Sequence, residues 1–143
     1  MLSGQKIVLA VTGSIAAYKS CELLRLLIKR GAEVSVIMTE AAQRFVTPLS
    51  FQALGAKKVY TGDWGDSTTA IPHIEATKEA SLLLVAPATA NILAKAAQGL
   101  ADDLLSAAIL AARCPVAYAP AMNTFMWHNQ ATKRNVTQLT QDG

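Results

Sequence analysis

The residues from Pro120 to Trp127 (Pro-Ala-Met-Asn-Thr-Phe-Met-Trp) set one amide among two thioethers and a large aromatic ring, directly behind a run that reads as a buried strand. Such a segment suits the wall of a binding site. The Asn123 amide can hold an anionic group, while soft apolar side chains lie beside a flat, polarizable ring. A surface loop would be richer in Gly, Ser and charge. Met122 and Met126, four residues apart, also serve as core filler; their closeness to Asn123 and to a strand end favours the wall. His73 can exchange a proton near neutral pH. Standing after Pro72 at a helix start, it reads equally as a cap or a solvated residue. His128 reads as surface. Cys21 and Cys114 have neither a metal-ligand spacing nor a disulfide framework, so the reading is no metal and a reducing, cytoplasmic setting.

These residues need a scaffold, and the rest of the chain supplies the pattern of one. With 143 residues, 52% of them hydrophobic and only 16% charged, the chain suits a single domain with a large core. The net charge of +3 is scattered, with Lys57-Lys58 in a solvated loop, and no basic block marks a nucleic-acid face. The apolar run before Gly13 is too short for a membrane span. Apolar runs at Lys6–Thr12, Glu33–Met38, Lys58–Tyr60, Leu82–Ala86 (ended by Pro87) and Val116–Ala119 predict five strands. Helical patterns fall at Ile15–Arg30 (closed by Gly31), Glu40–Phe45, Pro48–Leu54, Asn91–Gln98, Asp102–Arg113 and Asn129–Leu139. Thr61 to Pro72, with Trp64, has loop composition. Strand-helix alternation of this kind predicts an α/β fold, a three-layer doubly wound parallel sheet.

In such sheets ligands sit where the strands end at their carboxyl side. Each exit here carries small hydroxyl or amide groups: Gly13-Ser14-Ile15, Thr39-Glu40, Pro87 to Asn91, and Pro120 to Trp127. Backbone N–H groups at helix starts, with the Ser14, Thr39 and Thr89 hydroxyls, could hold a phosphate. The plainer readings stand beside this one. Thr12-Gly13-Ser14 lacks the glycines of a dinucleotide fingerprint and serves as an ordinary strand-helix turn, and Thr89 serves as a helix cap.

Gly13-Ser14-Ile15-Ala16-Ala17-Tyr18-Lys19, Pro72-His73-Ile74, Pro87-Ala88-Thr89-Ala90-Asn91 and Pro120 to Trp127 follow the order found in one family. From Lys6 to about Trp127 the chain resembles the homo-oligomeric flavin-containing cysteine decarboxylases, and among them the phosphopantothenoylcysteine decarboxylases. The Pro-x-Met-Asn-x-x-Met motif is the specific part of the match. The resemblance implies a Rossmann-like flavoprotein fold and FMN as cofactor, lined by Gly13, Ser14, Ile15, Thr39, Thr89, Ala90, Asn91, Ile92 and Ala121. It implies His73 as the catalytic histidine, and Asn123 and Met126 as substrate contacts, with the amide gripping a carboxylate. It also implies a homo-oligomer, a trimer or a multiple of trimers, acting on 4′-phosphopantothenoylcysteine in coenzyme A biosynthesis, with no nucleic acid or membrane involved.

The implied chemistry accounts for these residue types. Direct loss of carbon dioxide from a cysteine-derived amide would leave an unstabilised carbanion. Hydride removal from the carbon bearing sulfur gives a thioaldehyde, and the carboxylate, now β to a thiocarbonyl, can leave to give an enethiolate. A neutral amide holds the carboxylate without overstabilising the ground state. The chain departs from the family in two places. Ile92 replaces a hydroxyl residue common after Ala-Asn, and neither cysteine matches the active-site cysteine of the family's substrate flap. The expectation is therefore residues 1–143 as an FMN-binding decarboxylase domain lacking that C-terminal flap. A peptide cysteine decarboxylase, a flavin prenyltransferase and a non-catalytic FMN-binding paralogue are the alternatives.

Overall fold

The computed structural model describes residues 1–62 and 71–143. Five parallel strands, β1 (Lys6–Val11), β2 (Glu33–Met38), β3 (Val59–Tyr60), β4 (Leu82–Ala88) and β5 (Val116–Pro120), form one sheet in the order β3-β2-β1-β4-β5. The helices are α1 (Ala17–Lys29), α2 (Pro48–Ala53), α3 (Pro72–Thr77), α4 (Ala90–Gln98), α5 (Leu104–Ala111), α6 (Thr124–His128) and α7 (Gln130–Asp142). The order reverses direction between β1 and β4, which makes their carboxyl ends the switch point of a doubly wound sheet.

Alternation along the strands builds two cores. Ile7, Leu9 and Val11 of β1 pack with Val34, Val36 and Met38 of β2 under Leu24 of α1 and Phe51 of α2. Val8 and Ala10 point the other way, joining Leu83 and Val85 of β4 with Ile92, Leu93, Leu105 and Ala108. On this second face α3 packs on α5, and α4 on α7. Strands buried on both faces explain why their sequences are continuous apolar runs rather than alternating ones. Gly31, at φ +95°, turns the chain after α1 into β2, a conformation open to glycine at little cost.

β4, the stretch over 40–45 and α6 differ from the sequence reading. β4 does not end at Pro87 but runs through it to Ala88, with a cis Ala86–Pro87 bond and a register shift against β5 between Val85 and Ala88. The helical stretch over 40–45 is only a 3-10 turn, Ala42–Arg44. The short helix α6 lies in the segment read as a binding-site wall, to which the sequence reading gave no helix. Lys57 and Lys58 are exposed but partnered, Lys57 with Glu33 at 2.7 Å and Lys58 above the Tyr60 ring at 4.7 Å. Most of the loop read over 61–72, Trp64 included, lies outside the described residues.

Candidate functional site

At the switch point the β1–β4 pairing stops at Ala10–Val85, and side chains take over from the backbone ladder. Ser20 of α1 donates to the Ala86 carbonyl at 2.7 Å. Thr12, 2% exposed, donates to the Pro87 carbonyl at 2.5 Å and accepts from the Thr89 N–H at 3.1 Å. The Ala121 N–H donates to the Ala88 carbonyl at 3.0 Å. Three successive carbonyls at the end of β4 are thus satisfied, which is how a proline-containing strand persists in a sheet interior.

Gly13 follows at once. A Cβ there would come within 2.5 Å of Ala41 Cβ and 3.0 Å of the Ala41 backbone carbon, so only glycine lets the β1 turn lie against the exit of β2. Between these exits and the start of α4 lies a cleft of about 480 Å³. Gly13, Thr39, Thr89, Asn91 and Ile92, all singled out from the sequence, line it. So do Thr12, Glu40, Ala41, Arg44, Lys95 and Asp103, to which the sequence reading gave no role in the site. Ser14, Ile15, His73, Ala90, Ala121, Asn123 and Met126 are not among its lining residues.

The exits of β1, β2, β4 and β5 are built by the same local device. Ser14 Oγ accepts from Ala16 N–H at 3.1 Å, and Thr39 Oγ1 from Ala42 N–H at 3.1 Å. Thr89 Oγ1 accepts from Ile92 N–H at 3.2 Å, and Asn123 Oδ1 from Met126 N–H at 2.9 Å. Polar residues recur at the exits because each satisfies an orphan donor where a helix or turn begins. Capping uses an acceptor, so each hydroxyl keeps its O–H for a ligand oxygen and Asn123 keeps the two donors of Nδ2. The Asn123 amide is therefore half committed, and the commitment orients the rest of it. Met122 packs partly buried against the second core, whereas Met126 is exposed, so the two methionines divide between core and surface.

Charge enters the cleft from α4 and α5. Lys95 bridges Asp102 at 2.9 Å and Asp103 at 3.1 Å. The Asp102 hydrogen bond comes first among the causes that raise the Lys95 pKa above its ordinary value. Burial alone would push the Asp103 carboxyl up. Hydrogen bonds from the Ser106 side chain and backbone, with the Lys95 ammonium, outweigh it and hold the carboxyl below the usual range. Asp103 and Ser106 also form the capping box of α5. His73 sits half-buried in the first turn of α3, where its carbonyl accepts from Thr77 Oγ1 at 3.3 Å.

A second cavity, about 310 Å³, opens at the amino ends of the strands between Lys6, Glu33, Lys57, Tyr60 and Glu79. Two of its lysines are paired, Lys6 with Glu79 and Lys57 with Glu33, while Lys58 lies over the Tyr60 ring and Lys78 also lines the cavity. Among the described residues no group of His, Cys, Asp or Glu is placed to hold a metal ion, and no helix is long and apolar enough to cross a membrane.

Residues 1–143 match the family described as Flavoprotein. The chain is 50% identical over 144 residues to the coenzyme A biosynthesis bifunctional protein CoaBC of Bacillus subtilis (strain 168), covering 100% of this chain and 36% of that protein. It therefore spans little more than a third of that relative's length. Among solved structures it overlays the FMN-dependent cysteine decarboxylase SpaF with a TM-score of 0.93 at 36% identity, covering 100% of this chain and 83% of the other. It overlays a PPC decarboxylase mutant complexed with pantothenoylaminoethenethiol with a TM-score of 0.82 at 34% identity, covering 96% and 78%. A cleft at the switch point of a doubly wound sheet, framed by a side-chain-free turn and capped helix starts, goes with full-length agreement in sequence and backbone: the chain belongs to the flavoprotein family.

Proposed function

We propose that this chain binds FMN in the switch-point cleft and catalyses the FMN-dependent decarboxylation of 4′-phosphopantothenoylcysteine to 4′-phosphopantetheine, as a cytoplasmic homo-oligomer built on trimers. The observation that carries the reading is the cleft itself, in a chain half identical to a coenzyme A biosynthesis protein. Its volume of about 480 Å³ falls in the range of cofactor sites. Its donor set suits a ring with a phosphorylated tail. The Thr39 and Thr89 hydroxyl hydrogens and the Arg44 guanidinium would hold the phosphate, while Gly13 and Ala41 present no bulk to the ring.

Bound FMN would supply a reversible two-electron exchange, first oxidising the sulfur-bearing carbon so that it can accept the electrons released with carbon dioxide, then returning two electrons to the enethiolate so that the net reaction is redox-neutral. The remaining work belongs to side chains. Asn123, its Oδ1 held by the Met126 N–H, turns Nδ2 to the substrate carboxylate and grips it without a formal charge. His73 takes or returns a proton at the reacting centre. Met126 supplies apolar contact to the substrate. Exposed Ile15 and Tyr18 at the start of α1, with Phe125 and Trp127 on α6, give a second and third copy an apolar surface to cover.

Purified protein is expected to be yellow, or to become so on adding FMN, and to release carbon dioxide from phosphopantothenoylcysteine. A preparation that stays colourless with FMN overturns the cofactor assignment. A second reading keeps the same chemistry on a peptide ending in cysteine, and the overlay on an FMN-dependent cysteine decarboxylase is compatible with it. Release from such a peptide alone would replace the first.

A further inference from the structure

We infer that Thr12 is a positioning residue for the flavin, setting the width of the cleft between the β1 turn and the start of α4. The inference rests on the proposal that this cleft holds FMN. β1 and β4 part at the switch point, because α1 leaves toward one face and α4 toward the other. Backbone pairing ends at Ala10–Val85. Carried two residues further, the same register sets Thr12 opposite Pro87, which has no N–H to offer. One hydroxyl replaces the missing ladder. It donates to the Pro87 carbonyl at 2.5 Å and accepts from the Thr89 N–H at 3.1 Å.

Thr89 in turn accepts from Ile92 N–H at 3.2 Å, so the Thr12 hydroxyl is the first link of a chain reaching the opening turn of α4. Residues at both ends of that chain line the cleft, Gly13 on one side and Thr89, Asn91 and Ile92 on the other. Thr12 lines the cleft but is only 2% exposed, with its hydroxyl engaged on Pro87 and Thr89, so its contribution is spacing more than ligand contact. Ser20 supplies an internal comparison. It is equally buried, ties α1 to the neighbouring Ala86 carbonyl at 2.7 Å, and does not line the cleft.

The test is an FMN titration of the whole chain, read by quenching of flavin fluorescence and by visible circular dichroism of the bound flavin, alongside thermal melting. Thr12→Val removes both hydrogen bonds at nearly constant volume. It is expected to weaken FMN binding about tenfold and to alter the flavin dichroism, while Thr12→Ser stays within about threefold of wild type. Ser20→Ala is expected to lower the melting temperature with FMN affinity within about threefold. Should Thr12→Val fail to fold, Thr12→Cys, a weaker donor in the same place, carries the test and is expected to lose affinity with near-normal melting. The inference is overturned if the hydroxyl-free or thiol variant binds FMN as wild type does. Affinity losses that follow melting temperature alike in Thr12 and Ser20 variants overturn it too. Wild-type protein that binds no FMN is read before any variant and removes the cofactor proposal itself.

Discussion

Gly13 and Ala41 touch across the floor of the cleft so closely that one added methyl would overlap the other at 2.5 Å. Gly13→Ala is expected to cost about 1–3 kcal/mol of unfolding free energy, as overpacking of a tight contact does, and to weaken FMN binding by displacing the turn. Ala41→Gly in the same chain is expected to recover part of both losses, because the Cβ overlap disappears while the 3.0 Å approach to the Ala41 backbone remains. Denaturant unfolding of the single and double variants reads the first quantity, and flavin titration the second.

Asn123 joins a cap to a donor, and the two duties separate by substitution. Asp caps as well as Asn does, but it presents a carboxylate where Nδ2 stood. Asn123→Asp is expected to keep the fold and the bound flavin while lowering kcat/KM for decarboxylation by about a hundredfold or more, through repulsion of the substrate carboxylate. Asn123→Ala loses the cap also, at about 1 kcal/mol. Steady-state carbon dioxide release with circular dichroism distinguishes the two variants.

His73 lies on α3, outside the lining of the cleft. His73→Asn is accordingly expected to leave FMN affinity unchanged while abolishing carbon dioxide release. Release at the wild-type rate would reduce His73 to a residue of the helix start.

Asp103 gives the cleft wall a pH dependence. Its folded-state pKa lies below the unfolded value, so its contribution is present above the unfolded value of about 3.9 and is lost as pH falls through the lower folded one. Stability of the wild type is expected to fall on acidification below about pH 4. Asp103→Asn keeps the cap, and its melting temperature is expected to change less over the same window. Partial exposure of the Lys95–Asp103 pair keeps the difference small.

Much of the scaffold is legible in the order of residues. β2 falls at Glu33–Met38 as read, because an apolar run buried on both faces and bounded by polar residues has little other use. The end of β4 was not legible. Pro87 normally closes a strand, and the groups that accommodate it, Ser20, Thr12 and the Ala121 N–H, come from three distant places in the chain. α6 was missed for a related reason. Asn123 suits a ligand contact and an N-cap equally, and nothing in its sequence neighbours chooses between the two. Gly13, Thr39, Thr89, Asn91 and Ile92 reach one cleft because strand exits converge by topology. Arg44, Lys95 and Asp103 carry no such signature, since the turn after β2 and the facing ends of α4 and α5 meet only in three dimensions.

Because each exit cap closes on a backbone N–H two or three residues ahead, no cap depends on another loop for its partner. The rim is thus assembled from self-contained fittings on fixed posts. If the proposed roles hold, changes confined to 123–128 would alter contact with the substrate acid while the seat at Gly13 and Thr89 keeps its shape.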